Sequence, residues 1–113
     1  MAEQISKPNF IVSGHKYEAP TYAEDRVLME LLLIDGTIGI SELTDRLNTK
    51  FEASLATTTV STYLRRLRDK GYVKLLTNNY RSHRKWTWVS LVSKEDYIEA
   101  QRKLFKKLYG ENL

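Results

Sequence analysis

Five aliphatic hydroxyls and three guanidinium groups fall within twelve residues: Thr57, Thr58, Thr59, Ser61 and Thr62, then Arg65, Arg66 and Arg68. Interleaved with them, Val60, Leu64 and Leu67 stand at i, i+4 and i+7, the spacing of one helix face. The pattern predicts a helix from about Thr57 to Lys70 with that apolar seam buried and Tyr63 widening one edge. The hydroxyls and guanidiniums then share the opposite side. Short hydroxyl side chains let a backbone approach a surface while still donating and accepting hydrogen bonds, and guanidiniums hold anionic oxygens in a planar fork. Threonines lose rotamer freedom inside helices. A demand made at the surface therefore explains the run better than a solvated face does. The chemistry is recognition of a polyanion, not the making or breaking of bonds.

No other cluster offers catalysis. The chain has no cysteine, which excludes disulfides, thiol nucleophiles and thiolate metal sites. Its two histidines, His15 and His83, are far apart in sequence and have no carboxylate cluster beside them. No nucleophile–base pair or phosphate loop is present. The expectation is no enzyme, no metal and no cofactor.

Charge supports an anionic partner. Residues 1–56 carry five Lys/Arg against nine Asp/Glu, a net −4, and residues 57–113 carry thirteen against five, a net +8. The overall +4 hides this split, which directs the second half towards a polyanion. The 113 residues fit one domain with an arm or tail. No apolar run reaches the roughly 18 residues that span a bilayer, and residues 1–8 have no signal-like apolar block. A soluble, cytoplasmic protein is expected.

The elements that must position the hydroxyl–arginine helix are legible around it. Residues 1–20, with Pro8, Gly14 and Pro20, read as an arm in which Phe10–Val12 and His15–Tyr17 form an edge strand or lie across the domain. Thr21 and Glu24 make a capping box for a first helix whose stripe is Ala23, Val27, Leu28, Leu31, Leu32 and Ile34, stopped by Asp35-Gly36. Thr37–Ile40 suits a short strand or a turn. A second helix starts near Ser41, with Leu43 and Leu47 inward, and ends at Asn48 or frays towards Phe51. After Gly71, Tyr72–Leu76 and Lys85–Val89 read as two strands joined by a turn-rich segment, with Trp86 and Trp88 facing inward. Ser93, with Asp96 three residues later, caps a last helix reaching Tyr109.

Helix, helix, helix, hairpin, helix is a mainly α fold with a small β-hairpin. It is the winged helix-turn-helix arrangement plus a C-terminal helix. The expected divisions are an arm at 1–20, a DNA-binding domain at 21–92 and a dimerisation helix at 93–113. An α-helix fits the major groove of B-DNA. Double-stranded DNA is thus the expected partner, met by Thr57, Thr58, Thr59, Ser61, Thr62, Arg65 and Arg66. The basic hairpin tip, with Arg81, Arg84 and Lys85, lies along the backbone or enters the minor groove. On the last helix, Tyr97, Ile98, Leu104, Phe105, Leu108 and Tyr109 make two apolar stripes, more than packing on one domain requires. They are expected to hold a homodimer on an operator of dyad symmetry. The competing reading is a winged-helix protein–protein module without DNA binding, which wants an apolar patch where Arg65, Arg66 and Arg68 stand.

From its second helix onward the chain resembles the bacterial repressors of penicillinase and methicillin resistance, a family with copper-responsive members. The stretch Thr59–Gly71 matches that family's recognition-helix pattern, Thr-apolar-x-Thr-x-Leu-x-Arg-Leu-x-x-Lys-Gly. Trp86–Tyr97 is similar to its second wing strand and the following helix start, and Leu104–Gly110 to that helix's end. The resemblance implies transcriptional repression by homodimers, with Thr59, Thr62 and Arg66 on the DNA-facing helix. It departs from the family in five ways. Leu55-Ala56-Thr57 replaces the Trp-Ser-Pro that precedes the recognition helix, and the connection before it is about two residues longer. The proteolytic switch site is not recognisable in Leu104–Leu108, the copper-binding cysteines are absent, and the family's further dimerisation helices have no counterpart before Leu113. No inducer or antagonist is assigned by these residues.

Overall fold

A computed structural model describes residues 10–80 and 83–110, with the side chains of 78–80 and 83–85 outside the description. The order is β1 (Phe10–Val12), β2 (His15–Tyr17), α1 (Tyr22–Leu32), α2 (Ile40–Phe51), α3 (Thr57–Asp69), β3 (Val73–Tyr80), β4 (His83–Ser90) and α4 (Lys94–Tyr109). Helices α1, α2 and α3 enclose one core, into which Val27, Leu28, Leu31, Leu43, Leu47, Val60, Leu64 and Leu67 project almost without exposure. The seam read at i, i+4 and i+7 on α3 is that buried face.

Local chemistry sets the helix ends. Thr21 Oγ1 accepts from the Glu24 N–H at 3.2 Å, and the Glu24 carboxylate accepts from the Thr21 N–H at 3.1 Å, so the expected capping box is formed. At the end of α3 the Gly71 N–H reaches the Arg68 carbonyl at 3.0 Å and the Tyr72 N–H reaches Leu67 at 2.9 Å. This is a Schellman closure, for which Gly71 adopts φ +93°. Helix α1 stops at Leu32, earlier than the Asp35-Gly36 signal suggested, because Leu33 and Ile34 turn back onto the Glu30 and Leu31 carbonyls. Gly36, at φ +114°, serves the following loop instead. Helix α2 runs on to Phe51 and is closed by Glu52 in the left-handed region, at φ 50°.

The hairpin β3–β4 is longer than read from sequence, pairing in register from Val73↔Ser90 to Tyr80↔His83. Ile38 adds an isolated bridge to Trp88 through two backbone bonds, so the ambiguous Thr37–Ile40 stretch forms no strand of its own but meets the hairpin at one residue before α2 begins at Ile40. The inward placement of both tryptophans holds for Trp88 alone; Trp86 lies nearer the hairpin tip and is half exposed.

β1 and β2 pair antiparallel as a hairpin of their own, with Phe10 opposite Tyr17. Phe10 and Val12 are buried in the core. The Phe10 ring meets Tyr97 edge-on at 5.7 Å and Tyr72 at 6.4 Å, and Tyr17 stacks on Tyr72 at 4.8 Å. Helix α4 packs on this aromatic cluster. The Tyr97 hydroxyl donates to Asp25 at 2.5 Å and the Gln101 amide donates to the same oxygen, which tethers α4 to α1.

Candidate nucleic-acid interface

Three polar devices brace the helical core that carries α3. Asn48, near the end of α2, clamps the chain leading into α3: its Nδ2 donates to the Leu55 carbonyl at 3.0 Å and its Oδ1 accepts the Leu55 N–H at 2.8 Å. Glu30 of α1, its side chain only 5% exposed, accepts from Arg46 at 3.1 Å and Lys50 at 2.9 Å, tying α1 to α2. Burial raises the Glu30 pKa, but the hydrogen bonds and charges of Lys50 and Arg46 outweigh it and hold the carboxyl below its ordinary value. Glu24 joins Lys70, at the end of α3, by a 2.5 Å ion pair. There too burial pushes the pKa up while Lys70 and the Thr21 N–H bring it below the usual range. Among the described residues every buried side-chain polar atom has a hydrogen-bond partner.

Opposite its buried seam, α3 presents an exposed face. Thr57, Thr58, Arg65 and Arg66 are exposed, and Thr59, Ser61 and Thr62 are half-buried at its margins. Thr58, Thr62 and Arg65 follow one another along the helix at i, i+4 and i+7. The Thr62 hydroxyl donates to the Thr58 carbonyl at 3.0 Å and lies 3.5 Å from an Arg65 nitrogen, so part of its bonding capacity is used within the helix. Arg68 reaches Asp69 at 3.7 Å. The N-cap position is Ala56, whose side chain caps nothing, and no acidic residue stands in the first turn. The Thr59 and Val60 N–H groups turn back onto the Ala56 carbonyl at 3.1 and 3.2 Å, and the hydroxyls stand at the positive end of the helix dipole with no side-chain cap or first-turn carboxylate to offset it.

The structure thus gathers Thr57, Thr58, Thr59, Ser61, Thr62, Arg65 and Arg66 on or beside one surface. Arg81 lies outside the described residues, as do the side chains of Arg84 and Lys85, whose backbone belongs to the hairpin. Two features escaped sequence reasoning. The Asn48–Leu55 clamp depends on a turn geometry that residue types alone do not specify. Trp86 faces a groove between α3 and the hairpin, shared with Thr57, Thr58 and Ser61; its alternation with Trp88 gave the correct side of the strand but not its distance from the core.

A helix with a hydroxyl-and-arginine face, braced by two other helices and followed by a β-hairpin, has counterparts among known proteins. The sequence model of the penicillinase repressor family matches residues 21–112. The chain belongs to the penicillinase repressor family. The resemblance read from Thr59–Gly71 and Trp86–Tyr97 is borne out, as is the winged-helix fold. A solved transcriptional regulator from Clostridium thermocellum is similar in fold, with a TM-score of 0.52 and 20% identity over 80% of this chain and 89% of that one. Comparison with curated proteins gave no match. This penicillinase repressor family member is a DNA-binding transcriptional regulator.

Proposed function

We propose that this regulator is a repressor that binds an operator of dyad symmetry as a homodimer, with α3 of each protomer in a major groove. The observation that carries the reading is the two-faced nature of α3: Val60, Leu64 and Leu67 fully buried, and Thr58, Arg65 and Arg66 exposed on the far side. Among the described residues, none of the large exposed apolar side chains lies on α3. This disfavours the protein–protein module, which needs such a patch. Thr58 and Ser61 meet base edges, Arg65 and Arg66 hold phosphates, and the hairpin tip follows the backbone.

The dimer is supported by α4. Tyr97 and Ala100 are buried in their own protomer and Leu104 packs against its core, whereas Ile98, Phe105, Leu108 and Tyr109 remain exposed. Phe105 and Tyr109 lie 4.9 Å apart and make a continuous apolar surface. Tyr97 thus belongs to the protomer core, and the four exposed residues are the ones offered to a second copy. No helix of the described residues is long and apolar enough to cross a membrane, and a regulator that acts on DNA fits the cytoplasm expected from the sequence.

Selection of bound fragments from a genomic DNA library, followed by footprinting, tests the reading. The expected result is paired, inverted half-sites about 10 base pairs apart, or a multiple of that, centre to centre. Recovery of single, unpaired sites contradicts the dyad, and failure to enrich any fragment contradicts sequence-specific binding.

A further inference from the structure

Between the first turns of α3 and the sheet-facing side of the hairpin runs an open groove of about 390 Å³. Thr57, Thr58 and Ser61 form one wall, and Leu75 and Trp86 the other, with Trp88 beneath. Trp88 is buried and belongs to the core, but Trp86 keeps half of its surface in solvent. Strand pairing fixes where it stands: Trp86 lies opposite Thr77, two residues nearer the tip than the Leu75↔Trp88 pair. An indole held half bare on a paired strand does little for the protomer, and the bare half borders the hydroxyl face of α3.

We infer that this groove receives the deoxyribose edge of one strand of duplex DNA, and that Trp86 packs against its sugars. The inference rests on the docking of α3 proposed above and deepens it. A duplex presents, between its major and minor grooves, a ridge of alternating sugar and phosphate. A cleft with a major-groove helix on one side and a hairpin on the other sits over that ridge. The apolar wall at Leu75 and Trp86 matches the C–H surface of the sugars, and the exposed Thr57 hydroxyl on the other wall matches a neighbouring phosphate oxygen, while Thr58 and Ser61 reach past it to the base edges. Because every nucleotide carries the same sugar, the contact adds affinity and positions the protein without selecting sequence.

The test uses the full chain, a pool of random-sequence duplex DNA and Trp86→Ala, with Trp86→Phe as the conservative variant. Trp86→Ala is expected to weaken binding about tenfold, the factor for leaving some 50–60 Å² of apolar surface in water. The salt dependence stays that of the unmodified protein, because no charged group is removed, and Trp86→Phe recovers most of the affinity. Saturating DNA shifts or quenches the emission of the unmodified protein and leaves that of Trp86→Phe nearly unchanged. The weakening is the same when uracil replaces thymine in the duplex; a weakening confined to thymine-containing DNA overturns the sugar contact in favour of a base methyl. Affinity within twofold of the unmodified protein, while the pair Arg65→Ala with Arg66→Ala still binds weakly, overturns the role of Trp86 and leaves the docking of α3 intact. If the arginine pair also binds normally, the docking itself is overturned. A change of oligomeric state in Trp86→Ala without DNA assigns the groove to a second copy and overturns the inference.

Discussion

Asn48 and Leu55 are joined by both edges of one amide, the Asn48 side chain donating at 3.0 Å and accepting at 2.8 Å across the turn between α2 and α3. The Asn48 carbonyl also accepts from the Ala53 N–H at 3.0 Å, beside Glu52 in its left-handed conformation, and Leu55 packs against the core. The clamp thus helps to fix how the chain passes from α2 into α3. Asn48→Ala should cost about 1–3 kcal/mol, since it leaves both Leu55 backbone groups without their partner. Chemical denaturation measures that cost. DNA affinity measured where the variant is still folded should fall as well, and an unchanged affinity shows that the clamp serves stability alone.

Such a pairing shows where the sequence stops being informative. Periodicity identified α3 and its seam, because burial imposes a 3.6-residue rhythm on side-chain type. The Thr21–Glu24 box was legible for a similar reason, its partners being three residues apart. The Asn48–Leu55 clamp, the Glu24–Lys70 ion pair and the burial of Phe10 against Tyr97 join residues whose proximity only the packed fold creates. Trp86 was misread because alternation along a strand gives a side of the sheet, whereas exposure depends on how far the core extends beneath it.

Acid should loosen the bundle through Glu30 and Glu24. Both carboxyls are held below their ordinary value of 4.5 by their cationic partners. Their folded pKa is the lower one, so their contribution is complete above the unfolded value and disappears as pH falls through the folded value. Melting temperature should therefore hold between pH 7 and 5 and drop below about pH 4.5. Glu30→Gln should cost about 1–2 kcal/mol at neutral pH, discounted because Arg46 and Lys50 are themselves partly exposed. It should also flatten the acid limb of the melting curve. An acid limb as steep as that of the unmodified protein removes Glu30 from the account.

Thr58 and Thr62 should differ. The Thr62 hydroxyl already bonds the Thr58 carbonyl, whereas Thr58 is exposed. Thr58→Ala should lower the preference for selected over scrambled DNA by roughly 1 kcal/mol, near the lower limit for a base contact. Thr62→Ala should lower it less. Competition titrations decide, and equal losses on both DNAs show that these hydroxyls touch only the backbone.

The exposed side of α4 makes a separate prediction. Phe105→Asp with Leu108→Asp should give a folded monomer, because both side chains project from the protomer. Leu104→Asp should instead unfold it, since Leu104 packs against the core. Sedimentation at micromolar concentration should show the unmodified protein as a dimer. A mass near 13.2 kDa across that range contradicts the α4 interface.

If the exposed face of α3 grips DNA phosphates, affinity must depend on salt through Arg65 and Arg66. Binding to one selected duplex is titrated over a range of salt for the unmodified protein and for Arg65→Ala with Arg66→Ala. Each phosphate that an arginine no longer neutralises should reduce the slope of log affinity against log salt by about 0.9. The double variant is expected to be as stable as the unmodified protein, to bind more weakly and to show a slope shallower by about 1.8 per protomer. Equal slopes for the two proteins would contradict it.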